Sequence, residues 1–228
     1  MARVLTLGEA LIDFVPVQAG LKLQDVPGFQ RAPGGAPANV AVGLCRLGVP
    51  AGFIGKLGND AFGHFLHGVL AENGVEIEGL SYTPAAKTSL AFVSLTSTGE
   101  RDFLFYRDPG ADALLEESDI NPEQVKRAEV FHHGSISLLS EPSRRATLRA
   151  AGLSRLHSLK VSFDPNLRPD LWKSREEALR EIREALGGVD LLKLNREELH
   201  LISGFGDMDE GARWALERGA GLVVLTLG

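Results

Sequence analysis

Arg31-Ala32-Pro33-Gly34-Gly35-Ala36-Pro37-Ala38-Asn39-Val40-Ala41 reads as a paired-glycine turn that runs straight into a helix. Gly34 and Gly35 carry no Cβ, so the backbone can reach positive φ and a ligand can approach its amides. Pro37 suits a first helical turn, where its missing N–H costs nothing. Val40, Leu44 and Leu47 then recur at helical spacing as the expected apolar face, and Gly48 closes the pattern. The start of this helix presents free N–H groups, with the Asn39 amide, to whatever occupies the loop. No Lys-Ser/Thr follows the glycines and the spacing is not that of a dinucleotide fingerprint. An ordinary strand-to-helix turn has the same letters, so the flanking sequence must decide.

Upstream, Val4 to Leu7 is a short apolar run ending at Gly8-Glu9, a buried strand with polar residues at its carboxyl end, and Asp13 follows. Residues 14–33 lack helical periodicity and read as short strands and turns. Downstream, Gly52 to Gly55 is a strand and Asp60 caps a helix whose inner face is Phe62, Phe65, Leu66, Val69 and Leu70, with Gly63, His64 and His67 outward. Ser89–Leu95 and Arg101–Tyr106 flank the Gly-containing run 96–100, a hairpin signal in which Phe103 and Phe105 share a face. A hairpin among strand-helix units is out of place in a parallel sheet. It is expected to project over the site as an accessory sheet.

From residue 130 the pattern repeats as strand, loop, helix. Val130–His133 precedes a helix ending near Leu156, and satisfied structural roles are expected for His132 and His133. Lys160–Phe163 delivers Asp164-Pro165-Asn166-Leu167-Arg168-Pro169, three polar side chains between prolines. Ser174 and Glu177 form a capping pattern ahead of Leu179, Ile182 and Leu186. Leu191–Leu194 leads into Asn195-Arg196-Glu197-Glu198, Asp207 and Glu210 open a helix, and Leu222–Leu227 is expected as a final buried strand. Alternating strands and helices imply a mainly parallel sheet covered on both faces, with ligands bound beyond the carboxyl ends of the strands. Asp13, Gly34, Gly35, Asn39, Asp164, Asn166, Arg168, Asn195 and Glu198 all follow predicted strands, which places them on one rim. Hydroxyl acceptors, a fixed cation and a Mg²⁺-compatible carboxylate on that rim suit phosphoryl transfer to a polyol better than hydride transfer.

The 228 residues, 44% of them hydrophobic, can bury roughly 70–75% of the unfolded surface in one core. The expectation is one α/β domain over 1–228. A net charge of −6 without a long basic run argues against nucleic acid as a partner. One cysteine, Cys45, fits a reducing compartment, and no membrane-spanning stretch occurs, so a cytoplasmic location is expected.

Gly34-Gly35, Pro37, Asn39, Ala41, Gly48 and Gly58 resemble, position for position, the first signature of the ribokinase-like (PfkB) carbohydrate kinases. Gly8-Glu9, Leu11, Asp13, the run Arg107 to Asp112 and Gly134 to Ser143 are similar to fructokinase members, bacterial ones above all. The resemblance implies a three-layer ribokinase-like, Rossmann-like fold with a small β lid from about 14–33 and 89–107, and with the C-terminal part of the family fold absent. It implies ATP and Mg²⁺ as cofactors, fructose converted to fructose 6-phosphate, and a homodimer formed through the lid. The implied sugar-binding residues are Asp13, Gly34, Gly35, Asn39, Arg107 and Arg168, supported by Asp164 and Asn166. Arg107 has an alternative as an ion-pair partner of Asp108 or Asp112. Asn195, Thr226 and Gly228 would meet the nucleotide, and Glu198 would organise water around Mg²⁺, although Glu198 also fits a helix cap. The family's aspartate base belongs to a Gly-Ala-Gly-Asp loop expected beyond Gly228, so activity of these residues alone is expected to be slight. Two rival readings stay open: 2-keto-3-deoxygluconate kinase, with Arg107 and Arg168 on a carboxylate, and a non-catalytic sugar-binding or dimerising module.

Overall fold

A computed structural model describes residues 1–95 and 101–227. The strands are β1 (Val4–Leu7), β2 (Leu11–Pro16), β3 (Phe29–Gly34), β4 (Ala51–Gly58), β5 (Leu80–Thr83), β6 (Leu90–Leu95), β7 (Arg101–Tyr106), β8 (Val130–His133), β9 (Lys160–Phe163), β10 (Leu191–Asn195) and β11 (Leu222–Thr226). The helices are α1 (Ala36–Arg46), α2 (Ala61–Glu72), α3 (Pro122–Lys126), α4 (Ser143–Leu156), α5 (Arg175–Ala185), α6 (Arg196–Ser203) and α7 (Met208–Glu217).

Seven strands form a parallel sheet in the order β11-β10-β9-β8-β1-β4-β5. Its pleat divides the core in two. Leu5, Leu7, Phe131, Val161, Phe163, Leu192 and Leu194 share the face packed with residues of α3 to α7. Phe53 and Leu57 of β4 point the other way, against Ala38 and Ala41 of α1 and Leu66 and Leu70 of α2. The expected layered α/β architecture is therefore present. The order reverses beside β1: the chain goes from β1 to β4 on one side and later to β8 on the other. That is where a site is expected in an open parallel sheet.

The second sheet, β3-β2-β6-β7, is the accessory sheet, and it has four strands. It begins at Leu11, three residues before the expected start of the lid segment, so Asp13 lies within a lid strand rather than in a loop after β1. Asp13, Ala91 and Phe105 are in register on one of its faces, and Phe14, Phe92 and Leu104 on the other. Phe14 stacks on Phe92 at 4.7 Å and meets Phe62 of α2 edge-on at 6.0 Å, while the Arg31 guanidinium lies 4.1 Å above the Phe65 ring. These contacts seat the lid on α2. The hairpin turn over 96–100, the side chain of Phe103 and Gly228 lie outside the described residues.

Local chemistry accounts for most boundaries. Asp60 caps α2 through the amides of Phe62 and Gly63 and also accepts from Thr88, while Asp207 caps α7 and Ser174 caps α5. Two faces differ from expectation. In α1 the buried residues are Pro37, Ala38 and Ala41, and Leu47 is 82% exposed, because small side chains let the helix lie close on β1 and β4. In α2, Gly63 is buried rather than outward, since a Cβ there would overlap the carbonyl of Gly58. Among the described residues β11 lies at one end of the sheet, with Leu222 57% and Val224 40% exposed. His64 and His67 gather round the Tyr82 ring, and no metal-holding cluster occurs among the described residues.

Candidate functional site

Two clefts open on the carboxyl rim. The first, about 150 Å³, lies between the lid and the start of α1 and is lined by Glu9, Leu11, Asp13, Gly35, Ala36, Asn39, Phe105, Ile136, Asn166 and Arg168. Gly35 is the N-cap of α1, at φ 104°. A side chain there would be strained and would run into the Glu9 carbonyl. Gly34 ends β3 directly under the Asp13 carboxylate, and a Cβ would occupy the place of Asp13 Oδ2. The paired glycines thus do two separate things: one turns the chain, the other makes room for an acid.

Charge in this cleft is arranged in pairs. Burial pushes the Asp13 carboxyl above its ordinary range, and the positive charge of Arg168 works against that. Arg168 itself folds over its own loop, with Nη1 3.2 Å from the Leu167 carbonyl and 3.4 Å from that of Asn166. Asn166 sits at φ 43°, which asparagine tolerates better than most residues, and its amide donates to Asp164 Oδ1 at 3.1 Å. Asp164 also meets Lys193 Nζ at 3.1 Å, so it braces the loop rather than facing the cleft.

The second cleft, about 380 Å³, lies over the ends of β10 and β11 and is lined by Asn195, Arg196, Glu197, Thr226 and Leu227. Asn195 caps α6: its Oδ1 accepts from the Glu198 amide at 2.8 Å, and Glu198 Oε2 accepts from the Asn195 amide at 2.9 Å. Glu198 Oε1 takes the Leu167 amide at 2.8 Å. The side chain is 4% exposed, so Glu198 ties the 164–168 loop to α6 and offers no free carboxylate to the cleft.

Of the expected sugar contacts, Asp13, Gly35, Asn39 and Arg168 line one cleft, with Gly34 beneath and Asn166 beside them. Arg107 is not among its lining residues. Its Nε and Nη2 both bond Asp112 Oδ2, at 2.9 and 2.5 Å, and Ser89 donates to Asp112 Oδ1 at 2.5 Å. Of the alternatives for Arg107, the ion pair with Asp112 is the one observed. Asn195 and Thr226 meet in the second cleft. Glu9, Ile136, Phe105 and Glu197 were not assigned to the site from sequence, although Glu9 was read at the end of an apolar strand and Phe105 on one face of the lid hairpin. His132 and His133 are both buried, with Nδ1 3.0 Å from Ser162 Oγ and 3.1 Å from the Gly134 carbonyl. Burial lowers both to about 4, so they are neutral structural groups.

The sequence profile of the pfkB family carbohydrate kinases matches residues 1–228. The chain belongs to that family. Among curated PfkB relatives it is 46% identical to probable fructokinase-4 of Arabidopsis thaliana, over 99% of this chain and 69% of the relative. It is 47% identical to fructokinase-1 of Oryza sativa subsp. japonica, over 99% of this chain and 70% of the relative. Solved PfkB structures agree. Fructokinase from Vibrio cholerae O395, in a fructose, ADP and calcium ion bound form, superposes with a TM-score of 0.90 at 37% identity, covering 100% of this chain and 71% of that one. Fructokinase with bound ATP from Xylella fastidiosa gives 0.88 at 35% identity, covering 100% and 69%. The chain is therefore a sugar kinase domain of fructokinase type. Within the PfkB frame the first cleft falls by the reversal of strand order and the second over β10 and β11, both on the rim where a parallel sheet places its ligands.

Proposed function

We propose that this domain binds fructose in the first cleft and MgATP over the second, as the acceptor side of a kinase that makes fructose 6-phosphate. The observation that carries the reading is the convergence of Asp13, Asn39, Arg168 and the Gly35 turn beneath the lid. A carboxylate and a carboxamide supply several acceptor and donor sites for hydroxyl groups, the turn supplies backbone amides, and the guanidinium balances charge without titrating. Phe105 and Ile136 add apolar walls that a sugar's C–H face can pack on. Asp164 and Asn166 hold Arg168 in place through their loop. Asn195 and Thr226 meet the nucleotide.

The metal enters with the nucleotide, held chiefly by phosphate oxygens and water, as Mg²⁺ prefers. That arrangement is compatible with the described residues, among which no group of three or more His, Cys, Asp or Glu could hold a cation and both Glu198 oxygens accept backbone amides. Glu198 can act on the metal only through water. The base that takes the proton of the attacking hydroxyl is proposed to be the aspartate expected beyond Gly228.

Fructose is favoured over 2-keto-3-deoxygluconate because Arg107 is engaged by Asp112, which leaves the cleft one guanidinium rather than two for a carboxylate. A dimer through the lid is supported by the hollow of about 460 Å³ on its outer face, where Tyr106 is 61% and Leu104 46% exposed. A cytoplasmic location rests on the single cysteine, and no helix among the described residues is long and apolar enough to cross a membrane. The test is calorimetry of this chain with fructose, glucose, ribose and 2-keto-3-deoxygluconate, followed by ADP formation with each. Fructose binds most tightly, and Asp13→Asn weakens it about 100-fold, the loss of one or two charge-assisted bonds. Equal heats for all four sugars, or none, would refute the assignment.

A further inference from the structure

Glu9 is the one acid of the first cleft whose chemistry the proposed function leaves unused. It follows β1 and precedes β2, and its side chain is 3% exposed. Oε1 accepts from the Ala36 amide at 2.9 Å, in the first turn of α1. Oε2 is buried and has no hydrogen-bond partner. Its carbonyl lies so close under Gly35 that only a glycine fits there. The residue therefore grips the paired-glycine turn from two sides.

Burial raises the carboxyl, its own backbone amide and that of Ala36 favour the ionised form, and the charges that act on it besides are those at the root of the lid. Arg107, just after β7, attracts the ionised form, and Asp112, in the turn 111–114, repels it. Ser89, just before β6, completes this group through its bond to Asp112. Arg107 and Asp112 have side chains only 8% and 3% exposed. Glu9 thus lies between β1 and β2, in contact with Gly35 and the start of α1, and feels the charges of the Arg107–Asp112 pair at the root of the lid.

We propose that Glu9 is a positioning residue that joins the paired-glycine turn to the Arg107–Asp112 pair, so that sugar affinity depends on the proton of a carboxyl that does not itself touch the sugar. The inference rests on fructose as ligand only for its second readout. With the proton present, the carboxyl is neutral beside Asp112, and Oε1 keeps the Ala36 amide. With the proton gone, charge is shared by a buried carboxylate whose Oε2 makes no hydrogen bond. Drawing Arg107 from Asp112 or admitting water beneath the turn relieves it, and either shifts the amides that face the ligand. Burial, with a smaller contribution from Asp112, lifts the Glu9 carboxyl to about 7, which puts this exchange in the neutral range.

Asp13 from β2 and Arg168 from the loop after β9 also face the cleft, and Glu9→Gln leaves both unchanged. In the sugar-free protein, the amide proton shift of Ala36 followed by NMR moves with a midpoint near pH 7, and in Glu9→Gln it stays still between pH 5.5 and 8.5. Fructose affinity by calorimetry falls about fivefold from pH 6 to pH 8 in the unsubstituted chain and is flat in Glu9→Gln, at the low-pH value. Glu9→Ala, which loses the Ala36 bond, binds about tenfold more weakly throughout. An Ala36 amide that ignores pH, or a fructose profile that survives in Glu9→Gln, overturns the proposal. If no fructose binds at any pH, the proposed function fails and the Ala36 titration alone still decides the role of Glu9.

Discussion

Gly34 shows how one missing atom serves a site. Its Cα lies where any side chain would collide with the Asp13 carboxylate and with Leu11. Gly34→Ala must displace the acid that we assign to the sugar while leaving the rest of the cleft standing. The expected outcome is a loss of fructose affinity of at least 30-fold with a fall in unfolding free energy of about 1–3 kcal/mol, measured by calorimetry and urea titration. A variant that loses stability but keeps its affinity would separate Asp13 from binding. At this scale much of the candidate cleft was legible: Gly35, Asp13, Asn39 and Arg168, named from strand ends and from the family resemblance, line it with Gly34 beneath. Glu9 and Phe105 were not assigned to it, because neither burial nor a lone carboxylate oxygen leaves a mark in a sequence. Arg107 and Glu198 carried two readings each, and the letters alone cannot show whose hydrogen bonds a side chain has already filled.

Among elements, the lid depends on a buried ion pair. Arg107 sits at the end of β7 and Asp112 in the turn that follows, with Ser89 at the start of β6. Removing the cation alone strands an acid that water cannot reach. Arg107→Met is expected to cost about 3–4 kcal/mol, and adding Asp112→Leu to restore a large part of it, so that a double-mutant cycle reads strong coupling. Additive losses would mean that the pair does not work as a unit. The elements themselves were mostly readable, since caps at Asp60, Ser174 and Asp207 sit where side-chain oxygens meet free amides. What failed was the choice of face. Large apolar residues in α1 drew the expected core toward Leu47, whereas close approach to a flat sheet favours Ala38 and Ala41. The lid strands within 14–33 were foreseen but their bounds were not: β2 starts at Leu11, and a strand with Pro and Gly such as β3 looks like a turn.

For the whole molecule, proton linkage runs in two directions. His132 and His133 are neutral in the fold with values near 4, below the ordinary 6.5, so the unfolded chain binds more protons between those limits. Stability is therefore complete above about pH 6.5 and is lost as pH falls toward 4, by on the order of 3 kcal/mol for each ring. Glu9 acts oppositely: raised to about 7, it costs nothing below about pH 4.5 and weighs fully above 7. Calorimetric melting from pH 4 to 8 should show stability rising from pH 4 to a plateau near pH 7, with Glu9 opposing the two histidines between about pH 4.5 and 7. The rise should become shallower in His133→Asn and steeper in Glu9→Gln. A melting temperature constant across that range would contradict both assignments. The alternation of strands and helices was enough to foresee the parallel sheet and its binding rim.

The two sheets are threaded in a way that orders their assembly. Ile12 on β2 pairs with Leu90 on β6, and β4, α2 and β5 are made in between. Closing so long a loop is unfavourable until the intervening β–α–β unit has condensed and shortened it. Pulse-labelled hydrogen exchange during refolding should thus protect amides of β1 and β4 before those of β2 and β6, leaving the sugar's cover as the last piece to form.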